Sequence, residues 1–180
     1  PIKSSAASDV YKRQPMMKYD FKDWERPSLV ECQVALLKGA ELLLLKDENG
    51  FECGYALMLR DRAHRYALLG WLGVYPTVRG GGIGSEFLEL IKARYAKYDC
   101  VFLEVTEYPE LDKARRLVEF YRRHGWQETG VPYTIGGRDT LLMHQGSAPQ
   151  RTDLKAVMEA IYAPMYGPVA FRKNLSLIHI

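Results

Sequence analysis

One segment organises this 180-residue chain: Trp71-Leu72-Gly73-Val74-Tyr75-Pro76-Thr77-Val78-Arg79-Gly80-Gly81-Gly82-Ile83-Gly84. An apolar strand ends at Pro76, a glycine-rich turn follows, and an apolar-periodic run continues to Tyr98. The first turn of a helix has N–H groups without intrahelical partners and the positive end of the macrodipole, so a phosphate is stabilised there. Glycines lack a Cβ, which permits positive φ and close approach of a ligand. The segment therefore predicts a strand, a turn and a helix that together bind an anion.

Two common phosphate motifs do not fit this segment. A P-loop requires Lys-Ser/Thr after its last glycine, whereas Gly84 is followed by Ser85-Glu86. A dinucleotide fingerprint that starts at Gly80 or Gly82 places Ser85 or Phe87 where the third glycine belongs. Both motifs are therefore disfavoured.

A third motif does fit. Residues 79–84 match the element Arg/Gln-x-x-Gly-x-Gly/Ala, with Val74-Tyr75-Pro76 just before it, and the chain here resembles the GNAT family of N-acetyltransferases. A second match follows in order, Leu103-Glu104-Val105 and then residues 120–126, Phe-Tyr-Arg-Arg-His-Gly-Trp. The resemblance covers residues 42–144. It implies an α/β domain with a mixed, mostly antiparallel sheet, a central βαβ acetyl-CoA-binding unit and helices on both faces.

The resemblance implies that acetyl-CoA is the cosubstrate and assigns the residues that hold it. Leu72 and Val74 would offer backbone groups to the pantetheine arm and to the thioester oxygen. Arg79 would contact phosphate or brace the turn. The backbone of the following residues would hold the pyrophosphate: Gly80, Gly81, Gly82, Ile83, Gly84 and Ser85. A helix start without a ligand would hardly need four glycines in five residues, because each costs entropy on folding.

Two side chains are the catalytic candidates. Transfer of an acetyl group to an amine needs a free nitrogen lone pair, stabilisation of an oxyanion and a proton for the departing thiolate. By resemblance Glu104 is the base and Tyr121 the acid. Two structural alternatives stay open: Glu104 is solvated or paired with Arg115 or Arg116, and Tyr121 is a core residue of a helix stripe.

Departures from the family pattern concern the coenzyme contacts and the N-terminal region. Ala114 stands where the family commonly has an asparagine, so that contact to the coenzyme is absent or is replaced by an arginine. The family usually begins with a strand and two helices, but only one helix, at residues 28–37, is predicted here. Because this region often shapes the acceptor pocket, the acceptor amine is left open.

Periodicity and turn signals predict the remaining elements. A short edge strand is expected at residues 17–21. Further strands are expected at residues 42–45, 53–59, 66–74, 100–106, 126–131 and 140–144, and helices at 28–37, 83–98, 112–124 and 154–162. The strand pair flanking the glycine turn should be parallel, because a helix crosses over between them.

The two termini carry the signature of a sequencing adapter. Residues 9–14 can be encoded GAT GTG TAT AAG AGA CAG, and the reverse complement of that sequence encodes Leu-Ser-Leu-Ile-His-Ile, which is residues 175–180. We therefore expect residues 1–14 and 175–180 to be artefacts of a transposon-end adapter. The acetyltransferase domain is predicted at residues 16–146 and a helical extension at 147–174, beyond which the native chain can continue.

Composition limits the classes of partner. Without residues 1–14 and 175–180 the chain has 22 basic and 21 acidic residues, a net charge of +1, so no nucleic-acid partner is expected. The three cysteines have no paired spacing, which disfavours a disulfide framework or a metal site. Apolar runs are too short for a membrane span. We expect a cytoplasmic monomer or homodimer.

The sequence thus predicts an acetyl-CoA-dependent N-acetyltransferase in which a small-molecule or peptide amine attacks directly in a ternary complex. One alternative is a module that senses acyl-CoA or has lost catalysis. Another is a ping-pong acyltransferase that uses Cys100 or Cys53.

Overall fold

The computed structural model describes residues 2–4, 7–63, 65–135 and 137–166 of the chain. Its elements in chain order are β1 (Ile2–Ser4), α1 (Ala7–Asp20), α2 (Leu29–Leu37), β2 (Glu41–Lys46), β3 (Glu52–Arg60), β4 (Tyr66–Val74), α3 (Ile83–Arg94), β5 (Cys100–Thr106), α4 (Asp112–Arg123), β6 (Gln127–Glu128), β7 (Thr134–Ile135), β8 (Arg138–Gly146) and α5 (Arg151–Tyr162). A short 3₁₀ turn, Pro76–Val78, follows β4.

The strands form one mixed sheet in the order β1-β2-β3-β4-β5-β8-β6, with β7 paired to β8. β2, β3 and β4 make an antiparallel meander. β4 and β5 are parallel because α3 crosses over between them, and β8 returns antiparallel to β5. The predicted fold class, a mostly antiparallel sheet with a central βαβ unit, is confirmed.

Alternating side chains of the central strands build two apolar layers. The first layer joins the sheet to α1, α2 and α5 through residues that include Met17, Cys32, Leu57, Phe102, Leu154 and Met158. The second joins the opposite face to α3 and α4 through residues that include Phe87, Ile91, Leu103, Val105, Val118 and Tyr121. Helices therefore cover both faces, and Glu104 points to the face opposite Leu103 and Val105.

β4 and β5 separate halfway along their length. Their pairing begins at Tyr66 with Cys100 and ends at Leu69 with Leu103. Beyond that point β4 stays with β3 as far as Val74, after a register irregularity, while β5 stays with β8 as far as Thr106. The sheet consequently opens between the two strands, and the glycine turn and Glu104 lie at this opening.

The N-terminal prediction was wrong in one respect. Residues 17–21 do not form an edge strand: Met17 is buried in the last turns of α1, and the Phe21 N–H donates to the Met17 carbonyl, the i to i−4 bond of a helix. Five residues cannot separate a period of 2 from one of 3.6. The chain therefore has the second helix that the sequence analysis did not find, since both α1 and α2 precede β2.

The other predicted elements are present, several of them with shifted ends. α2 begins after Ser28, whose hydroxyl accepts from the Glu31 N–H in a capping box. α3 stops at Arg94 instead of Tyr98. Leu111, not Asp112, is the N-cap of α4. The strand expected at residues 126–131 shrinks to Gln127–Glu128, because Trp126 leaves the sheet edge and is buried against Tyr121.

Part of the N-terminal segment assigned to adapter sequence lies in regular elements, β1 and the first half of α1. β1 pairs with the outer edge of β2, and the Arg13 guanidinium donates to the Glu52 carboxylate. Residues 175–180 lie outside the described residues. The adapter interpretation concerns the origin of the DNA, so it stays a prediction, as do the domain boundaries. α5 does pack on β3 and β4, so it completes the core of one face.

No helix in the described part of the chain combines the length and apolar character needed to cross a bilayer.

The close approach of β3 and β4 generates the first prediction. A Cβ on Gly54 would lie 2.6 Å from the Gly73 carbonyl oxygen, which is backbone and cannot move aside cheaply. We expect Gly54→Ala to lower the free energy of unfolding in urea by about 1–3 kcal/mol. Gly81→Ala is the matched control, because its Cβ would meet nothing closer than 3.9 Å, and its change should stay within about 0.5 kcal/mol. Equal effects of the two substitutions would contradict the packing described here.

Candidate functional site

The turn that joins β4 to α3 bends through two glycines. Gly80 has φ of 90° and Gly82, the N-cap of α3, has φ of 80°, a conformation that L side chains rarely adopt. A Cβ on either glycine would meet no atom within 4 Å, so the space outside the turn is open. The turn is shaped by backbone conformation, and it leaves room for a bulky group beside it.

This turn presents a row of free donors. The Glu86 N–H donates to the Gly82 carbonyl and continues the helix, but the N–H groups of residues 80–85 find no acceptor among the described residues. Gly82 has no side chain that could cap them. Unpaired N–H groups at a helix N-terminus favour a negatively charged ligand.

Arg79 braces the turn in this structure. Its Nε donates to the Val74 carbonyl at 2.8 Å, and its Nη2 donates to Asp20 Oδ1 at 2.5 Å. Its guanidinium also lies 5.7 Å from the centre of the Tyr19 ring. Asp20 in turn accepts from the Tyr55 hydroxyl at 3.0 Å. Of the two roles predicted for Arg79, bracing is the one that these contacts display.

The end of β4 directs backbone groups into the opening of the sheet. The Tyr75 N–H donates to the Cys53 carbonyl, so the Tyr75 backbone points toward β3. Successive residues of a strand point their backbone groups to alternate sides, so those of Val74 and Leu72 point toward β5. Since β5 no longer pairs there, the backbone groups of Leu72 and Val74 face the opening, and their contact with a pantetheine arm stays a prediction.

Glu104 is the first residue of β5 beyond its pairing with β4. It is partly buried, and its carboxylate accepts hydrogen bonds from the hydroxyls of Tyr133 and Tyr162, the latter at 2.6 Å. Arg115 is not the partner of Glu104 that one alternative supposed, because its guanidinium donates to Asp112 and to the Pro109 carbonyl. No ion pair involves Glu104 or Arg116 in the described part of the chain.

The surroundings of Glu104 favour proton uptake. Burial raises the pKa of Glu104 above its ordinary value, and the hydrogen bonds from Tyr133 and Tyr162 offset part of that rise. A carboxylate with a raised pKa is a better proton acceptor than one in water, as general-base catalysis requires.

Tyr121 lies on the other face of the sheet. Its ring packs against Phe120 and against Trp126, with ring centres 5.5 and 6.0 Å apart. Its hydroxyl has no hydrogen bond to any described residue, and burial raises the pKa of this phenol. The core position anticipated for Tyr121 is therefore real, but the ring also carries a protonated and unengaged donor.

α4 packs against the start of α3 through Phe120, the neighbour of Tyr121. A Cβ on Gly84 would lie 3.5 Å from the Phe120 ring, so α4 packs against the first turn of α3 next to Tyr121. Ala114, at the start of α4, is buried and offers no polar contact. Glu104 and Tyr121 share no hydrogen bond: Tyr121 belongs to the apolar layer under α3 and α4, whereas the partners of Glu104, Tyr133 and Tyr162, belong to the opposite layer.

A segment between α1 and α2 closes one side of the opening. The Trp71 indole of β4 donates to the Glu25 carbonyl at 2.8 Å, and the Thr106 hydroxyl of β5 donates to the Glu25 carboxylate at 2.8 Å. Glu25 therefore links the two strands where they have separated. Trp71 belongs to this bridge.

A cavity of about 390 Å³ lies beside Tyr133. Its lining comes from the segment after β5, the segment before β7, and β8, and it includes Tyr108, Glu110, Val131, Tyr133, Asp139 and Leu141. The charged side chains in that lining are acidic, Glu110 and Asp139. Tyr133 forms part of this wall with its ring and contacts Glu104 with its hydroxyl.

The sequence analysis missed Asp20, Glu25 and Tyr162. Asp20 fell in the segment interpreted as a strand, and Tyr162 fell in the helix treated as an extension outside the domain. One signal was available for Tyr162: it follows Leu154 and Met158 at helical spacing, so a polar hydroxyl sits on an apolar stripe. Such a hydroxyl, once buried, requires a partner.

The cysteines offer no reactive thiol near the opening. Cys32, Cys53 and Cys100 are all free and buried. Burial raises the pKa of Cys32 and of Cys100 to about 12. Cys100 also lies at the start of β5, where β4 and β5 still pair, and not at the opening. Across the described residues, no three His, Cys, Asp or Glu side chains are grouped so that they could hold a metal ion.

Comparison with known proteins relates the chain to one family. The sequence model described as an acetyltransferase (GNAT) domain matches residues 38–128, about half of the chain. No curated protein sequence matches the chain.

Solved structures share the fold. A Bacteroides thetaiotaomicron protein assigned to the GNAT family aligns with a TM-score of 0.72 and 20% identity, over 95% of this chain and 98% of that one. Spermidine/spermine N-acetyltransferase SpeG from Vibrio cholerae aligns with a TM-score of 0.60 and 13% identity, over 81% and 91%. At these identities the likeness concerns the fold.

The buried cysteines generate a prediction about covalent acylation. Because all three thiols are buried, and burial raises the pKa of Cys32 and Cys100, we expect no gain of mass on the intact protein incubated with acetyl-CoA alone. A disulfide-type thiol reagent should likewise react with none of the three cysteines in native buffer and with all three in denaturant. An acetyl adduct on Cys100 or Cys53 would instead support the ping-pong alternative.

Proposed function

The chain belongs to the GNAT family of acetyltransferases, and from that premise we propose that it is an acetyl-CoA-dependent N-acetyltransferase. An amine attacks directly in a ternary complex, without an acyl-enzyme. The observation that carries this proposal is the opening between β4 and β5, with free N–H donors in the turn that follows β4 and the Glu104 carboxylate on the first residue of β5 beyond the pairing.

The residues of the turn suit the diphosphate of acetyl-CoA. Six consecutive N–H groups, those of residues 80–85, have no acceptor among the described residues, and the space beside Gly80 and Gly82 is open. Arg79 fixes the turn through Val74 and Asp20 and adds a positive charge near the phosphates. Leu72 and Val74 direct backbone groups along the opening toward the pantetheine arm. Acetyl-CoA supplies the activated acetyl group as a thioester.

Glu104 is proposed as the base. An alkyl amine is mostly protonated at neutral pH, so it needs an acceptor for its proton before it can attack. Glu104 lies on the face covered by α1, α2 and α5, and its raised pKa suits it to this role. Its partners are phenols, which leaves the negative charge available to an incoming ammonium group.

Tyr121 is proposed as the acid. Because burial raises its pKa, the phenol remains protonated at neutral pH and can donate to a departing thiolate. Its position on the face covered by α3 and α4 places it on the side of the glycine turn, opposite the base. Base and acid thus act from the two sides of the opening.

The acceptor is proposed to be a small-molecule or peptide amine. The cavity beside Tyr133 has acidic side chains as its charged lining, which suits a cationic molecule. Vibrio cholerae SpeG, named for acting on spermidine and spermine, shares the fold at 13% identity and has been described as a dodecamer. For this chain we propose a monomer or homodimer in the cytoplasm, without a nucleic-acid or membrane partner.

Binding of the coenzyme provides the first test of this proposal. Gly82→Glu should abolish detectable binding of acetyl-CoA in isothermal titration calorimetry, because a carboxylate at the helix N-terminus repels the diphosphate. Gly82→Gln is the matched control, since it has the same size and the same positive-φ strain. We expect it to bind at least about tenfold more tightly than Gly82→Glu. Absence of binding by the wild-type chain would contradict the proposal.

Turnover provides the second test. We expect the wild-type chain to release coenzyme A thiol from acetyl-CoA with at least one member of a panel of amines. Tyr121→Phe should lower kcat about a hundredfold and change the Kd for acetyl-CoA less than about threefold, because it removes only the proton donor.

Tyr95→Phe is the control for this substitution. Tyr95 is a buried tyrosine of the same apolar layer whose hydroxyl donates to Glu41, so its loss should leave kcat unchanged. Unchanged turnover in Tyr121→Phe would remove the assignment of the acid. Binding of acetyl-CoA with no thiol release across the panel would favour the acyl-CoA sensor.

A further inference from the structure

The C-terminal helix reaches the candidate base. Tyr162 is the last residue of α5 (Arg151–Tyr162), and its hydroxyl donates to Glu104 Oε2 at 2.6 Å. Tyr133, in the segment before β7, donates to Glu104 Oε1. Each carboxylate oxygen is therefore held by one phenol, and the two phenols come from two different parts of the chain.

We propose that Tyr133 and Tyr162 are positioning residues that fix the Glu104 carboxylate and hold it ionised for proton uptake from the acceptor amine. This inference rests on the proposed function, because the two phenols serve catalysis only if Glu104 is the base. It also makes α5 part of the active site, although α5 lies outside the segment matched by the family model.

The groups around Glu104 explain why its ionised form depends on these phenols. The side chains that face it are Tyr133 from the segment before β7, Tyr162 from α5 and, more distantly, Tyr166 just beyond α5; Glu31 of α2 acts on Tyr166. None of these groups is a cation. A carboxylate that is removed from water without a cation is stabilised in its charged form by hydrogen-bond donors alone.

Both tyrosines are held firmly enough to orient a carboxylate. Tyr133 is 3% exposed and Tyr162 is 4% exposed. The Tyr162 ring stacks on the Tyr166 ring, with centres 6.2 Å apart. The remainder of α5 is anchored by Leu154, Met158 and Ile161, so the helix does not depend on the Tyr162 hydroxyl for its place.

A purely structural role makes a different prediction. If the two hydroxyls served only to attach α5 and the segment before β7 to the sheet, their loss would reduce stability and leave the pH dependence of catalysis unchanged. A positioning role changes the pKa of Glu104. A donor to the ionised form lowers the pKa, so its removal raises the pKa and more of the carboxyl is protonated at a given pH.

The experiment compares Tyr162→Phe and Tyr133→Phe with wild type in the full chain. Each substitution keeps the ring and removes one donor, so the acidic limb of the pH profile of kcat/KM should move upward by about one pH unit. The titration midpoint of the Glu104 carboxyl in ¹³C NMR, assigned with Glu104→Gln, should move by a similar amount. Tyr166→Phe is the control: its hydroxyl does not bond Glu104, so neither quantity should move.

The two readouts separate this inference from the proposed function. The NMR midpoint requires no turnover, so it reports on the tyrosines even if no accepted amine is found. Unmoved midpoints in both Phe variants would overturn the inference, as would an equal shift in Tyr166→Phe. A moved midpoint with an unmoved rate profile would overturn Glu104 as the base and, with it, the catalytic purpose of the phenols. Tyr133 and Tyr162 lie in separate segments, so the pKa of Glu104 can still be measured in one variant if the other fails to fold.

Discussion

The parting of β4 from β5 after Leu69 and Leu103 is the constraint on which the rest of the structure depends. While two parallel strands remain paired, their backbone groups are used by each other and no ligand can lie between them. Here β4 follows β3 and β5 follows β8, so each strand is held on its outer side and free on its inner side. The opening thus results from the pairing of β4 with β3 and of β5 with β8. The backbone N–H and C=O groups that face it are exposed while every element stays folded.

The opening separates two electrostatic environments. Beyond the end of β4 the unpaired N–H groups of residues 80–85 supply positive potential, while the Arg79 guanidinium is paired with Asp20. On the face of α5 the Glu104 carboxylate supplies negative charge, with phenols as its partners. An anionic coenzyme and a cationic acceptor would therefore be drawn to different sides of the sheet. They could meet only where the strands have parted.

Much of the sheet could be predicted because its central strands are continuous apolar runs with clear ends. β4 and β5 have the bounds that were expected, and α2 was expected to begin at residue 28, which is its N-cap. Residues 17–21 were misread, because so short a window fits a strand and a helix equally well. Local sequence patterns also cannot predict hydrogen bonds between residues that are far apart in the chain. Tyr162 and Glu104 are 58 residues apart, Arg79 and Asp20 are 59 apart, and no spacing rule connects them.

The side chains that hold the candidate site come from outside the segment that the family model recognises. Residues 38–128 contain the glycine turn, Glu104 and Tyr121. Asp20, Tyr133 and Tyr162, which brace the turn or the carboxylate, all lie beyond those limits. A backbone that binds the coenzyme can be common to many proteins, because it relies on N–H groups rather than side chains. The face that holds Glu104 is built by α1, the segment before β7 and α5, so under the proposed function the specificity for the amine would be determined there.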